Sequence, residues 1–249
     1  ELMAGFRTFV REMGAELVLD LGDRISDVDH ETDRTLARDV AEAFAEMDVP
    51  IHHVCGNHDR DHLSVAENEE ILGQDLQHGR IDLADWRLLL WRADAKIWRG
   101  PDLVGFDLPE ADLLWLASEL QKTDRPTLVV SHVPVSGHSQ IGNYYFERNA
   151  QFATYPQVAR VRAVLNQCWQ PVVCIAGHVH WNTATQVDGI MHLTQQSLTE
   201  SFTTKGEPAG AWGLLDLDHQ IRWQVFGRDR LDLRFQPQPH RWVPPIGPF

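Results

Sequence analysis

Apolar positions along this chain follow two spacings, and each predicts an element type. Residues 5–13 place Phe6, Phe9, Val10 and Met13 three or four apart, which predicts a helix stopped by Gly14. The run 17–21 reads as a short buried strand ending at Gly22-Asp23. Residues 32–47 then predict a helix with Leu36, Val40, Phe44 and Met47 on one face, followed after Pro50 by a second buried strand, 51–54. Residues 88–91, 127–130 and 172–176 have the same strand character. Helices are expected over 109–121, where Pro109 suits the first turn, and over 158–168. The remainder of 61–105 reads as loops and short helices. Alternating strand and helix predicts an α/β layer structure.

Past Trp181 the spacing drops to two. Runs at 183–187, 190–194, 211–217 and 221–226, separated by turns such as Asp188-Gly189, predict an antiparallel meander. Residues 134–156 form the longest irregular stretch, and a loop of that length inside a domain is usually functional or disordered. We expect one domain over 1–234 and an extended tail over 235–249, where Pro237, Pro239, Pro244, Pro245 and Pro248 exclude regular structure. Such a tail could lie across the body or across a neighbouring copy, so a homo-oligomer is an expectation.

Composition narrows the partners. A chain of 249 residues with 43% hydrophobic content buries enough surface to fold without disulfides or a structural metal. Its net charge of −14, from 36 acidic and 22 basic residues, opposes adhesion to nucleic acid or anionic membrane. A phosphate-bearing substrate stays admissible, because bound cations reverse the sign of a site locally. Three cysteines (Cys55, Cys168, Cys174) without C-x-x-C spacing favour a reducing compartment, so a cytoplasmic location is expected. No apolar stretch approaches the ~20 residues that cross a bilayer.

Four predicted strands end in groups able to hold a metal: Asp23 after Gly22, Asn57 and His58 in Gly56-Asn57-His58-Asp59, His132 after Ser131, and His178 and His180 in Gly177-His178-Val179-His180. Ligands gather at the carboxyl ends of strands in open α/β sheets, so these residues can converge. A carboxylate, an amide and imidazoles make a mixed O/N set suited to Mn, Fe or Zn. The glycines before Asp23, Asn57 and His178 are expected to let each strand end in a sharp turn.

In that order, these stretches resemble the calcineurin-like metallophosphoesterase superfamily, and most closely its bacterial phosphodiesterase-type members, over about residues 17–180. The resemblance implies a four-layer αββα sandwich of two mixed sheets flanked by helices, and two divalent transition metals about 3.5–4 Å apart. It assigns Asp23 as the bridging carboxylate, Asn57, His132 and His178 as the other ligands of one metal, and His180 as a ligand of the second. Asp23 and His58 are the catalytic residues it implies, with His58 beside the leaving group. The activity implied is hydrolysis of a small phosphodiester or phosphomonoester, a metal-bound hydroxide attacking phosphorus in line.

The family's opening Asp-x-His pair occurs nowhere in this sequence, so the second metal site is incomplete as written. The expectation is that a short segment carrying the pair precedes Glu1. The alternatives are a one-metal site, a scaffold that keeps the fold without turnover, or, among enzymes, a nuclease, which the acidic balance disfavours. Asp27 stands one position late for the acid that orients His58, and Asp59 reads equally as an orienting group or a loop cap. Arg24, Tyr144, Tyr145, Trp181 and Asn182 are candidate substrate contacts. His52, His53, His138 and His192 are read as structural, and six tryptophans (Trp86, Trp91, Trp98, Trp115, Trp212, Trp223) as core packing.

Overall fold

The computed structural model describes residues 1–239. Its first half runs α1 (Leu2–Met13), β1 (Val18–Asp20), α2 (His30–Ala45), β2 (Ile51–His53), the short α3 (Asn57–Asp61), α4 (Val65–Leu72), β3 (Gly79–Asp82), β4 (Arg87–Leu90), β5 (Ile97–Arg99) and β6 (Val104–Phe106). Then come α5 (Glu110–Lys122), β7 (Thr127–Val130), α6 (Val158–Leu165), β8 (Val172–Ala176), β9 (Thr183–Val187), β10 (Ile190–Thr194), β11 (Trp212–Asp216), β12 (Ile221–Phe226) and β13 (Leu231–Phe235).

A six-stranded mixed sheet of order β3-β4-β7-β8-β10-β9 forms the centre. Strands β4, β7, β8 and β10 are mutually parallel, and β3 and β9 close the edges antiparallel. Every residue of β4, β7 and β8 is buried, as expected for parallel strands covered on both faces. Successive side chains go to opposite faces. Leu89, Val129 and Cys174 pack on Leu113, Leu116 and Leu120 of α5 and Val161 and Leu165 of α6. Leu88, Leu128, Val130 and Val173 face the other way, onto Ile221, Trp223 and Val225 of β12 and partly buried Leu19 of β1. Beyond that second β layer, α1 and α2 add Val10 and Phe44, and the Phe9 ring packs at a tilt against Trp212 and Phe226. The layers are therefore α, β, β and α.

The second β layer is two pieces: the parallel pair β1–β2 and the antiparallel β11-β12-β13. The meander expected after Trp181 is thus divided. β9 and β10 form a hairpin, but β10 joins the central sheet parallel to β8, with Leu193 opposite Ile175. A period of two reports which face is buried and carries no information about which strand is the neighbour. β13 pairs along Leu231–Phe235, so Phe235 belongs to a strand and not to the tail; the expected tail from 240 onward lies outside the described residues.

Two further expectations change. On α2 the buried residues are Asp33, Ala37 and Phe44, while Leu36 is exposed. The face is shifted by Asp33, whose fully buried carboxylate accepts from Val28 N (2.8 Å) and lies 2.8 Å from His62 Nδ1. Trp98 on the small β5–β6 ribbon is exposed rather than core. Among the described residues no helix is long and apolar enough to cross a membrane.

Candidate metal centre

Strands β1, β2, β7 and β8 end on the same side, and the residues just past them meet. Asp23, His132 and His178 place ligand atoms within 4.8 Å of one another, and Asn57 joins them, its Oδ1 lying 3.3 Å from His132 Nε2. Three of these four lie in buried positions. The backbone that delivers them is unusual: Asp23 (φ 59°) and His178 (φ 66°) adopt the left-handed region that side chains disfavour, as does His180 (φ 57°).

The expected role of the glycines is thereby refined. Gly22 (φ 91°) does need its positive φ, but Gly56 (φ −94°) does not. Gly56 is required by crowding, because a Cβ there would fall against the Asp23 carboxylate and 2.6 Å from His132 Cε1.

The hydrogen bonds at the back of each imidazole settle which nitrogen faces inward. His132 Nδ1–H donates to the Leu21 carbonyl (2.6 Å), which leaves Nε2 toward the centre. His178 Nε2–H donates to the Phe152 carbonyl (2.6 Å), leaving Nδ1 inward, 3.2 Å from His132 Nε2. Asp23 Oδ1 accepts from His58 N (2.9 Å), whereas Oδ2, 3.4 Å from His132 Nε2, is buried without a hydrogen-bond partner. Two imidazole nitrogens, an amide oxygen and an orphaned carboxylate oxygen therefore converge with electron pairs facing one another. Such a set wants a cation between its members, and its O/N chemistry fits a divalent transition metal.

The titration behaviour agrees. Burial pushes the Asp23 carboxyl up, but His132, with His58 and His178 beyond it, outweighs burial and holds it well below the usual carboxylate range. Burial and then the neighbouring His132 push His178 down to about 3, so its ring stays neutral and able to ligate. Burial pushes His132 down, but the neighbouring Asp23 carboxylate outweighs burial and raises it above the usual imidazole value.

His180 does not join this group. Its Nδ1 lies 2.8 Å from Glu200 Oε2, a residue with no signature in the sequence. His58 hydrogen-bonds Asp27 through Nδ1, so the late position of Asp27 is no obstacle: the turn after β1 carries it to the ring. Asp59 proves to be the loop cap. Its oxygens accept from Gly56 N (2.8 Å), Asp23 N (2.9 Å) and Arg24 N (3.0 Å), tying the β1 and β2 ends together.

Arg24 cannot meet a phosphate. Its guanidinium is 2% exposed and is taken up by Asp20 (2.8 Å), the Val54 carbonyl (2.9 Å), Asn68 (3.2 Å) and Asp59 (3.1 Å). Arg24 is a candidate substrate contact by sequence, but successive residues of a tight turn diverge, and this one points into the core. Asn182 is likewise engaged, donating to the Asp229 carbonyl and accepting from Gln196 N. Trp181 packs beside Phe146 and Val179 and donates to Gln140 Oε1 (3.1 Å). Tyr144 and Tyr145 are exposed, and the Tyr144 hydroxyl lies 3.4 Å from His180 Nδ1. Buried His53 is a satisfied core histidine, its Nδ1 2.8 Å from Asp20 Oδ2.

Asp20 carries a prediction. Burial raises its carboxyl, but Arg24 and His53 overcome this and bring it down to about 2. A carboxyl depressed on folding stabilises the fold above its unfolded value near 3.9 and loses that contribution as pH falls toward 2, here about 2 kcal/mol. Urea unfolding followed from pH 5 to pH 2 should show this loss in the wild type, and Asp20→Asn should have a shallower acid limb. An unchanged slope would refute the assignment.

Comparison with known proteins supports the same architecture. A dimetal phosphatase from Danio rerio superposes with a TM-score of 0.72 at 20% identity, over 95% of this chain and 88% of that one. GAP50, the anchor in the inner membrane complex of Plasmodium, superposes with a TM-score of 0.57 at 13% identity, over 95% and 83%. No curated protein sequence matches this chain. The family model described as calcineurin-like phosphoesterase matches residues 1–182, the stretch that contributes every one of the converging ligands, and the chain belongs to that family.

Proposed function

We propose that this protein is a metal-dependent hydrolase of small phosphodiesters or phosphomonoesters. The observation that supports this most directly is the buried acceptor set of Asp23, Asn57, His132 and His178, with Asp23 Oδ2 unpartnered. Held there, a divalent ion such as Mn, Fe or Zn would supply Lewis-acid charge against the phosphoryl oxygens. The chain's own residues do the rest. Leu21 and Phe152 carbonyls orient the two buried imidazoles, and the Asp59 cap keeps the β1 and β2 ends in register. His58, half-exposed and fixed through Nδ1 by Asp27, can in its imidazolium form pass the Nε2 proton to the departing oxygen. Exposed Tyr144 and Tyr145 offer contacts for the organic part of the ester.

The test is turnover of bis(p-nitrophenyl) phosphate and p-nitrophenyl phosphate by the full chain. Activity should appear with Mn²⁺ and vanish with EDTA, and the ratio between the two substrates separates diesterase from monoesterase. His58→Ala should cost about 10²–10⁴-fold on an alkyl ester, whose leaving oxygen needs a proton, and much less on a nitrophenyl ester. Equal losses on both would remove His58 from that role.

A second reading, a scaffold that keeps the fold without turnover, is favoured by His180 standing outside the ligand group. The fold is shared with GAP50, which is named as an anchor. Absence of metal-dependent turnover on both ester classes would select it.

A further inference from the structure

His180 stands apart from the buried acceptor set, yet its ring is not loose. Its Nδ1 lies 2.8 Å from Glu200 Oε2; the Glu200 side chain is 0% exposed and that of His180 is 29% exposed. The other Glu200 oxygen, Oε1, accepts from Phe202 N (2.6 Å) and Thr203 N (3.3 Å). Two backbone donors thus anchor one side of the carboxylate and aim the other at the imidazole. The Tyr144 hydroxyl donates to Oε2 (3.3 Å) and closes the arrangement.

The pattern repeats across the site. His132 is held through Nδ1 by the Leu21 carbonyl, His178 through Nε2 by the Phe152 carbonyl, and His58 through Nδ1 by Asp27. In each case one ring nitrogen is committed to a protein oxygen, which leaves the other for a second partner. Glu200 completes the same design for the fourth imidazole, from a loop twenty residues further along the chain.

We propose that Glu200 is a positioning residue that fixes the tautomer of His180. Its carboxylate accepts the proton on Nδ1, so Nε2 carries the lone pair, the form a metal ligand requires. The relevance to catalysis rests on His180 being a ligand of the proposed function; the tautomer does not. A carboxylate that merely braced its own loop would need only the Phe202 and Thr203 amides.

Long-range ¹H–¹⁵N correlation of the imidazoles in the metal-free full chain at pH 8 tests this directly. Wild type should show His180 as a single tautomer with Nε2 unprotonated. Glu200→Gln should release it to a mixture, while Tyr144→Phe, which keeps the carboxylate, should not. Should Glu200→Gln fail to fold, Glu200→Asp, which keeps the charge and shortens the reach, supplies the same comparison. Isothermal titration with Mn²⁺ gives a second readout: removing such a partner weakens metal affinity by about 10–100-fold. A proton on Nε2 in the wild type, or one unchanged tautomer with and without Glu200, would overturn the proposal. The tautomer measurement requires neither metal nor turnover, so failure to hydrolyse any ester would refute the proposed function without deciding this inference.

Discussion

His178→Ala is expected to lower turnover of a chromogenic phosphate ester by about 10³-fold, with Mn²⁺ in excess. The variant removes the inward Nδ1 from a set whose other members cannot shift to replace it: Asp23 is held by left-handed backbone, and His132 by the Leu21 carbonyl. Deleting one fixed electrostatic group from an enclosed site commonly costs 10²–10³-fold in turnover, and a metal ligand stands at or above that range. The loss should fall on kcat and kcat/KM together, since the group acts on the reacting centre more than on the remainder of the ester. Mn²⁺ should raise the melting temperature of the wild type and leave that of the variant unchanged, because only a protein that binds the ion is stabilised by it. His219→Ala, an exposed histidine on a turn, is the control and should match the wild type. Wild-type turnover in His178→Ala would remove the buried centre from the chemistry.

Gly22→Ala should strongly destabilise the fold. The position has φ 91°, and an added Cβ would run into Gly56 N, 2.8 Å from His132 Nδ1 and 2.9 Å from the Cys55 carbonyl carbon. Two of these three are backbone atoms, so no side-chain rotation relieves the crowding. Backbone strain of about 1–3 kcal/mol and overpacking of about 1–3 kcal/mol suggest a total near 4 kcal/mol. In a chain of this size that lowers the melting temperature by about 10 °C. Gly73→Ala separates the two contributions: its φ is 61° but nothing lies within 4 Å of the added Cβ, so it should lose only about 1 kcal/mol. If Gly22→Ala melted within a degree or two of the wild type, the close approach of the β1 and β2 ends would be wrong.

The four converging residues could be picked out from the sequence alone because each closely follows a short apolar run. An apolar run is a local signal of a buried strand, and parallel strands bring their carboxyl ends to one side. One residue past Asp23, the chain's local order says little. Arg24 follows Asp23, yet its partners Asp59 and Asn68 lie 35 and 44 positions away, and the ion pair with the first and hydrogen bond to the second turn it into the core. Asp27 seemed displaced only because spacing was counted along the chain, whereas the turn after β1 sets where its carboxylate arrives. Glu200 offered nothing to notice: a single acid in a polar loop acquires meaning only once that loop folds back onto His180.

Sequence by itself determined the alternation of strand and helix, the identity of the donor atoms and their order along the chain, since periodicity and side-chain chemistry are local properties. Tertiary structure alone decided which nitrogen of each imidazole turns inward. That choice belongs to hydrogen-bond acceptors brought from elsewhere, the Leu21 carbonyl 111 positions from His132 and the Phe152 carbonyl 26 positions from His178. A ring with two nearly equivalent nitrogens carries no preference of its own, so only the folded surroundings can supply one.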